Sequence, residues 1–186
     1  MALLVLGVLL FAAVHFIPSL APGVKSAWQS RLGENGYKGL FSLLLLLAFG
    51  LMIGGWRSAT PVYLYPPPAA LHPLALALLV LAFLLLAASN LKTRLRRIFR
   101  HPQLSAVAIW AAAHLLLNGD SRSLVLFGGL GLWALVEIIA INRRDGVWIR
   151  EPAPGLGREA LTLLVAALTL ALVIYLHPWL AGVPVY

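Results

Sequence analysis

Apolar residues in this chain fall into six runs separated by short segments rich in Lys, Arg, Pro and Gly. Each run approaches the ~20 residues that an α-helix needs to cross a ~30 Å hydrocarbon core. The first predicted span runs from Ala2 to about Pro18, where Pro18, Pro22 and Gly23 stop it. A cleaved signal peptide is disfavoured there, because no basic residue precedes the apolar run and Pro22 follows Ser19-Leu20-Ala21. A polar connection, Lys25 to Lys38, leads to a second span at about Gly39 to Trp56, which contains Gly50-Leu-Met-Ile-Gly54, a small-residue pattern that permits close packing. Arg57 to Pro68 reads as loop, since Pro66-Pro67-Pro68 cannot be helix interior. The third span is about Leu71 to Ser89. A basic loop, Asn90 to Arg100, precedes the fourth, Pro102 to Leu117, with Gly119 as its expected C-terminal cap. The fifth runs from about Ser121 to Ile141, with a thin face at Gly128, Gly129 and Gly131. The sixth runs from Glu159 to about Leu176 and ends at His177-Pro178-Trp179.

Composition turns this pattern into a class. The chain is 61% hydrophobic and 11% charged, with a mean hydropathy of +0.92, whereas soluble domains carry about a quarter charged residues. The expectation is an all-α polytopic membrane bundle of six transmembrane helices, one domain over residues 1–186, in contact with the lipid bilayer. The net charge of +8 does not indicate nucleic acid. Lys and Arg number 3, 1, 5, 1 and 4 in successive loops and account for all 14. That alternation puts the first, third and fifth loops in the cytoplasm and both termini on the periplasmic side of a bacterial inner membrane. The lack of cysteine excludes disulfides, thiolate metal sites, a catalytic thiol and covalent haem attachment through C-x-x-C-H.

The chemistry concentrates in span four. Trp110, His114 and Asn118 recur at i, i+4, i+8 and so share one helix stripe, beside the small Ala111, Ala112 and Ala113. His114 lies about 18 Å into its helix. A histidine inside a span is costly without a partner. It either fixes packing by hydrogen bonding to a neighbouring helix or ligates a metal or haem. His15 shares a face with Gly7 and Phe11, which suits either ordinary packing or a flat apolar group. His101 adjoins a proline at a helix start and reads as a cap or headgroup contact, with a proton or substrate role as the alternative. His72 and His177, each followed by proline, read as interfacial structure. Glu137 stands two turns from Arg144, and a structural ion pair is the favoured reading over acid/base catalysis. The chain has no phosphate-binding glycine loop, H-E-x-x-H or serine-nucleophile motif, no carboxylate pairing of the kind a proton-driven pump uses and no inverted repeat of a carrier.

Three motifs in order carry a resemblance: Val14-His-Phe-Ile-Pro18, Arg31-Leu-Gly-Glu-Asn-Gly-Tyr-Lys-Gly-Leu-Phe-Ser42, and His101-Pro102 followed by Trp110-Ala-Ala-Ala-His114-Leu-Leu-Leu-Asn-Gly-Asp120. Over roughly residues 3 to 145 the chain resembles the NnrU family of bacterial membrane proteins. The resemblance implies a link to nitrite and nitric oxide metabolism in denitrification, which is a process and not a defined reaction. The family is also related to zeta-carotene isomerase, a haem b membrane enzyme that isomerises a cis double bond in a carotene. Carried over, the resemblance implies haem b ligated by His15 and His114; Phe11, Trp110 and Asn118, which share the helix faces of these histidines, are the expected lining, and His101, nearer His15 in depth, is the weaker candidate ligand. The function implied is redox or gas-ligand chemistry, or isomerisation of an apolar polyene, on an apolar or gaseous small molecule. A bis-histidine iron has no open position, so ligand chemistry requires one histidine to leave. The chain departs from the isomerase at Ala111, where the isomerase has a cysteine involved in its redox-linked change of ligand. Two rival expectations remain. One is a non-catalytic assembly or accessory factor for a respiratory complex, binding a membrane protein partner through its small-residue faces. The other is a small transporter or lipid-binding protein with a polar cavity at His101, Glu137 and Asn142.

Overall fold

A computed structural model of the chain describes residues 1–150 and 152–183. Among these residues the structure is helical, with no strand and one isolated bridge between Tyr63 and Asp120. Its main helices are α1 (Ala2–Leu20), α2 (Pro22–Ser58), α3 (His72–Asn90), α4 (Pro102–Leu117), α5 (Ser121–Asp145) and α6 (Leu156–Ala181). All except α4 are long and apolar enough to cross a membrane. With 16 residues, α4 is about 24 Å long at 1.5 Å per residue. Large apolar side chains face outward, among them Leu46 at 68% exposure and Leu132 at 64%, as lipid contact demands. The chain is therefore a multi-pass membrane helical bundle.

The helices pack in the order α2, α1, α5, α4, α3, α6, so α5 lies between α1 and α4. Glycines set these contacts. A Cβ on Gly129 would sit 2.6 Å from Val8 Cγ1 of α1, and one on Gly131 would sit 3.0 Å from Ala111 Cβ of α4. The expected thin face of α5 is thus used on both sides. Between α1 and α2 the close approach falls elsewhere than expected. Gly7 meets the Met52 backbone, where an added Cβ would lie 2.7 Å from its nitrogen, and Gly55 abuts the Leu4 backbone. Gly50 and Gly54 have nothing within 4 Å of where a Cβ would stand. Consecutive helix positions are about 100° apart, so Gly55 can face α1 while Gly54 faces away from it.

Two boundaries and one expected cap differ from the sequence reading. Lys25 to Lys38, expected as a connection, is helical: Pro22 takes a first-turn position that needs no N–H, and Gly33 (φ 72°, ψ 172°) bends the chain within α2. A polar stretch can remain helical where side chains such as Glu34 and Lys38, paired at 2.6 Å, stay exposed. At the other end, α6 continues through Pro178 to Ala181 and stops at Gly182 in the left-handed conformation. Gly119 does not cap α4. Asn118 leaves the helix extended (φ −132°, ψ 120°), and the Gly119 carbonyl accepts from the backbone N–H groups of Leu64 at 2.8 Å and Tyr65 at 3.1 Å. Glycine is required there because any side chain would collide with the Tyr65 carbonyl. The Tyr65 hydroxyl shares its proton between the carbonyls of Leu115 and Asn118, two of the groups that the helix end leaves unsatisfied.

Candidate functional site

The stripe on α4 is a hydrogen-bonded ladder. Nδ1 of His114 donates to the Trp110 carbonyl at 2.9 Å, and the Asn118 side-chain amide donates to the His114 carbonyl at 2.9 Å. Asn118 therefore holds the backbone of His114 and not its ring. Because a carbonyl only accepts, Nδ1 carries the proton in this arrangement and Nε2 carries the lone pair. Three rings meet at this point. Phe127 stacks on His114 with centroids 4.3 Å apart and planes 24° apart, while Trp110 lies 4.8 Å from His114 and 4.9 Å from Phe127. Phe127 belongs to a π-helical turn, Leu124–Gly128, inside α5. Such turns recur at functional sites because the inserted residue redirects side chains.

His15 repeats the local arrangement. Its Nδ1 donates to the Phe11 carbonyl at 2.9 Å, again one turn back, and no partner occupies Nε2 among the described residues. Its ring neighbours are Phe11 at 4.2 Å, Trp133 at 4.8 Å and Phe41 at 5.6 Å. Trp133 is buried, and its indole N–H has no hydrogen-bond partner. Phe11 and Trp110, ring neighbours of the two histidines, both pack against one core cluster, Leu4, Val8, Met52 and Leu130.

The two histidines are not in ring contact. Their neighbours on α5, Phe127 and Trp133, are six residues apart, which is about 9 Å along the helix and about 240° around it. His114 and His15 thus flank α5 at different heights. In addition, His114 stands in the last turn of α4, three residues before its end at Leu117. Ala111 is buried against Gly131 at the contact between α4 and α5.

The remaining polar residues have other partners. Nε2 of His101 lies 2.9 Å from Asn142 Oδ1, so this histidine ties the start of α4 to α5 and does not cap its own helix. Glu137 is buried and accepts from the Ser19 hydroxyl at 2.9 Å. The expected ion pair with Arg144 is not a direct contact: that guanidinium holds Asp145 at 2.8 Å and the Pro18 carbonyl at 3.3 Å, and acts on Glu137 only through its charge. His101 and Asn142 therefore form one pair and Glu137 and Ser19 another. His177 donates from Nδ1 to the Val183 carbonyl at 2.7 Å. Sequence reasoning missed Phe127 and Trp133 as ring partners of the histidines; Trp133, four residues before Glu137, was the visible signal. It also missed Asp120 as the cap of α5. The Asp120 carboxylate accepts from Arg122 N at 2.9 Å, Ser123 N at 3.1 Å and Ser123 Oγ at 2.7 Å.

No group of three or more His, Cys, Asp or Glu side chains converges on a metal-sized site among the described residues. No curated protein and no solved structure matches this chain. Residues 3–185 match the family model described as NnrU protein, which extends the likeness through α6, and the chain belongs to the NnrU family.

Proposed function

We propose that this protein binds haem b within the membrane through His114 and His15 and uses it for redox or gas-ligand chemistry linked to nitrite and nitric oxide metabolism. The observation that carries this reading is the shared state of the two imidazoles. Each donates Nδ1–H to a backbone carbonyl one turn back and leaves Nε2 without a partner among the described residues, amid aromatic rings. A hydrogen bond from the other ring nitrogen fixes tautomer and orientation in metal-ligating histidines generally. Haem b supplies redox and gas-ligand chemistry when bound. The chain's own contributions are two neutral nitrogen donors, carbonyls that hold their rings, and apolar surroundings from Phe11, Trp110, Phe127 and Trp133 that exclude water. Ala111 offers no further ligand, which weighs against the polyene isomerase reading.

Placement on two faces of α5 sets a condition on this reading. One iron held by both rings requires the ring contacts of one histidine to open, whereas an iron held by His114 alone requires no such change. The absorption spectrum of the purified chain, oxidised and then reduced, tests the reading and counts the ligands. A six-coordinate spectrum is expected. His114→Ala is expected to lose most of the haem, and His15→Ala to retain it in five-coordinate form. Full haem retention by both variants would overturn the assignment. A colourless preparation that copurifies a membrane protein would instead favour the accessory-factor reading, for which the open faces at Gly50 and Gly54 provide contact surface.

For topology we propose six spans in the bacterial inner membrane with both termini periplasmic, α4 being the shortest span. The supporting observation is the Lys and Arg alternation between loops. The native chain has no cysteine, so single cysteines introduced at Arg57 and Arg94 should label from opposite sides. Labelling of both from one side would refute this topology.

A further inference from the structure

The loop between α3 and α4 and the loop between α5 and α6 meet at one end of the bundle and form a cavity of about 90 Å³. That is room for roughly three waters at ~30 Å³ each, or for one phosphate group. Lys92, Thr93, Arg96, Arg97, Arg100 and Trp148 contribute to its wall. Arg96 and Arg97 lie in one tight turn, Arg94–Arg97. Of the described carboxylates on the adjoining segments, Glu159 accepts from the Arg94 backbone N–H at 2.8 Å, and Asp145 pairs with Arg144 while lying close enough to Arg100 to feel its charge. Among the described residues no carboxylate pairs with Arg96 or Arg97. Arg100 spends one donor on the Gly146 carbonyl at 2.7 Å and keeps the others.

Thr93 supplies a second, independent sign. It is 3% exposed, and its Oγ1 is buried with no hydrogen-bond partner among the described residues. An unsatisfied buried hydroxyl costs stability unless something completes it. Guanidinium groups gathered around a small cavity repel one another unless an anion sits among them. Both features call for the same occupant, a compact anion with several acceptor oxygens.

We infer that this cavity binds a phosphate group, and that the phosphate is the headgroup phosphodiester of an anionic lipid. Arginine forks match phosphate oxygens, and the Thr93 hydroxyl would donate to one of them. The lipid source follows from position. The cavity lies just beyond the ends of membrane-spanning helices, and Trp148, a residue type that favours the membrane interface, forms part of it. Basic pockets at such ends take anionic headgroups.

The test uses the full chain, stripped of lipid in detergent, and follows thermal stability and bound lipid by native mass spectrometry. Phosphatidylglycerol is expected to bind and raise the melting temperature, phosphatidylcholine to do so far less, and added salt to weaken the effect. Thr93→Val keeps the shape and removes the hydroxyl, and should weaken phosphatidylglycerol about fivefold. The double variant Arg96→Gln/Arg97→Gln should weaken it about fivefold per arginine. If the double variant fails to fold, Thr93→Val decides alone. Equal response to the two lipids, or an unchanged phosphatidylglycerol response in the variants, overturns the site. Stabilisation by inorganic phosphate with no further gain from phosphatidylglycerol overturns the lipid assignment.

Discussion

His114 lies beneath a stacked Phe127, with ring planes 24° apart, whereas His15 meets three rings at 36°, 60° and 73° and stacks on none of them. The hydrogen bond on Nδ1 is the same in both, so the difference lies wholly in what the neighbouring helices supply. At His114 the ring partners come from α4 itself and the π turn of α5, and Tyr65 and Asn118 tie down the helix end close by. At His15 they come from α1, α2 and α5 together, so any shift among three helices reaches this ring. The same local bond therefore yields a fixed donor in one place and an adaptable one in the other. Where two ligands must converge on one iron, the adaptable one is the natural mover.

The strongest test of that contrast is a pair of variants. Phe127→Ala removes a buried ring and should cost about 3 kcal/mol, read as loss of thermal stability in detergent. Haem retention, if His114 is a ligand as proposed, should fall with it, while the His15 side keeps its ring contacts. Trp133→Phe keeps an aromatic ring at the other site but deletes the indole N–H that has no partner. The gain from removing an unsatisfied buried donor offsets the packing lost with the smaller ring, so stability should change by less than about 1 kcal/mol. Losses of equal size in both variants would erase the distinction between the sites.

The α4 half of this comparison was the legible half. Pro102 at the helix start and Asn118-Gly119 after its end give boundaries that agree with the structure, and the i, i+4 spacing of Trp110, His114 and Asn118 is the observed hydrogen-bond ladder. What escaped the sequence depends on which residue of one helix meets which residue of another. The face of α5 that reaches His114 is set by a π turn, which changes the rotation per residue and leaves no pattern in the composition. Gly50 and Gly54 match a packing motif, yet Gly7 and Gly55 make the contact, because a motif states that close approach is allowed and not where it occurs. Polarity misled at Lys25 to Lys38, since a helix with solvated side chains is as polar as a loop.

A smaller effect separates the two sites by pH. Asp120 caps the start of α5 just ahead of the π turn that carries Phe127, so it supports the His114 side and has no counterpart near His15. Burial works against its carboxylate, but hydrogen bonds from Ser123 and Arg122, with the charge of Arg122, outweigh that and hold its pKa below the ordinary value of 3.8. A carboxylate whose pKa is depressed on folding contributes stability that is fully present above its unfolded pKa. That contribution is lost as pH falls through the folded value. Between neutral pH and about pH 5 the cap should therefore give no pH dependence. Below pH 4 the stability of the wild type should decline more steeply than that of Asp120→Asn, which carries no titrating group there. At neutral pH the substitution to Asn should cost less than about 1 kcal/mol, because asparagine remains a competent cap. Parallel acid titration curves for the two proteins would remove Asp120 from the support of His114 and leave the stacked Phe127 as its main constraint.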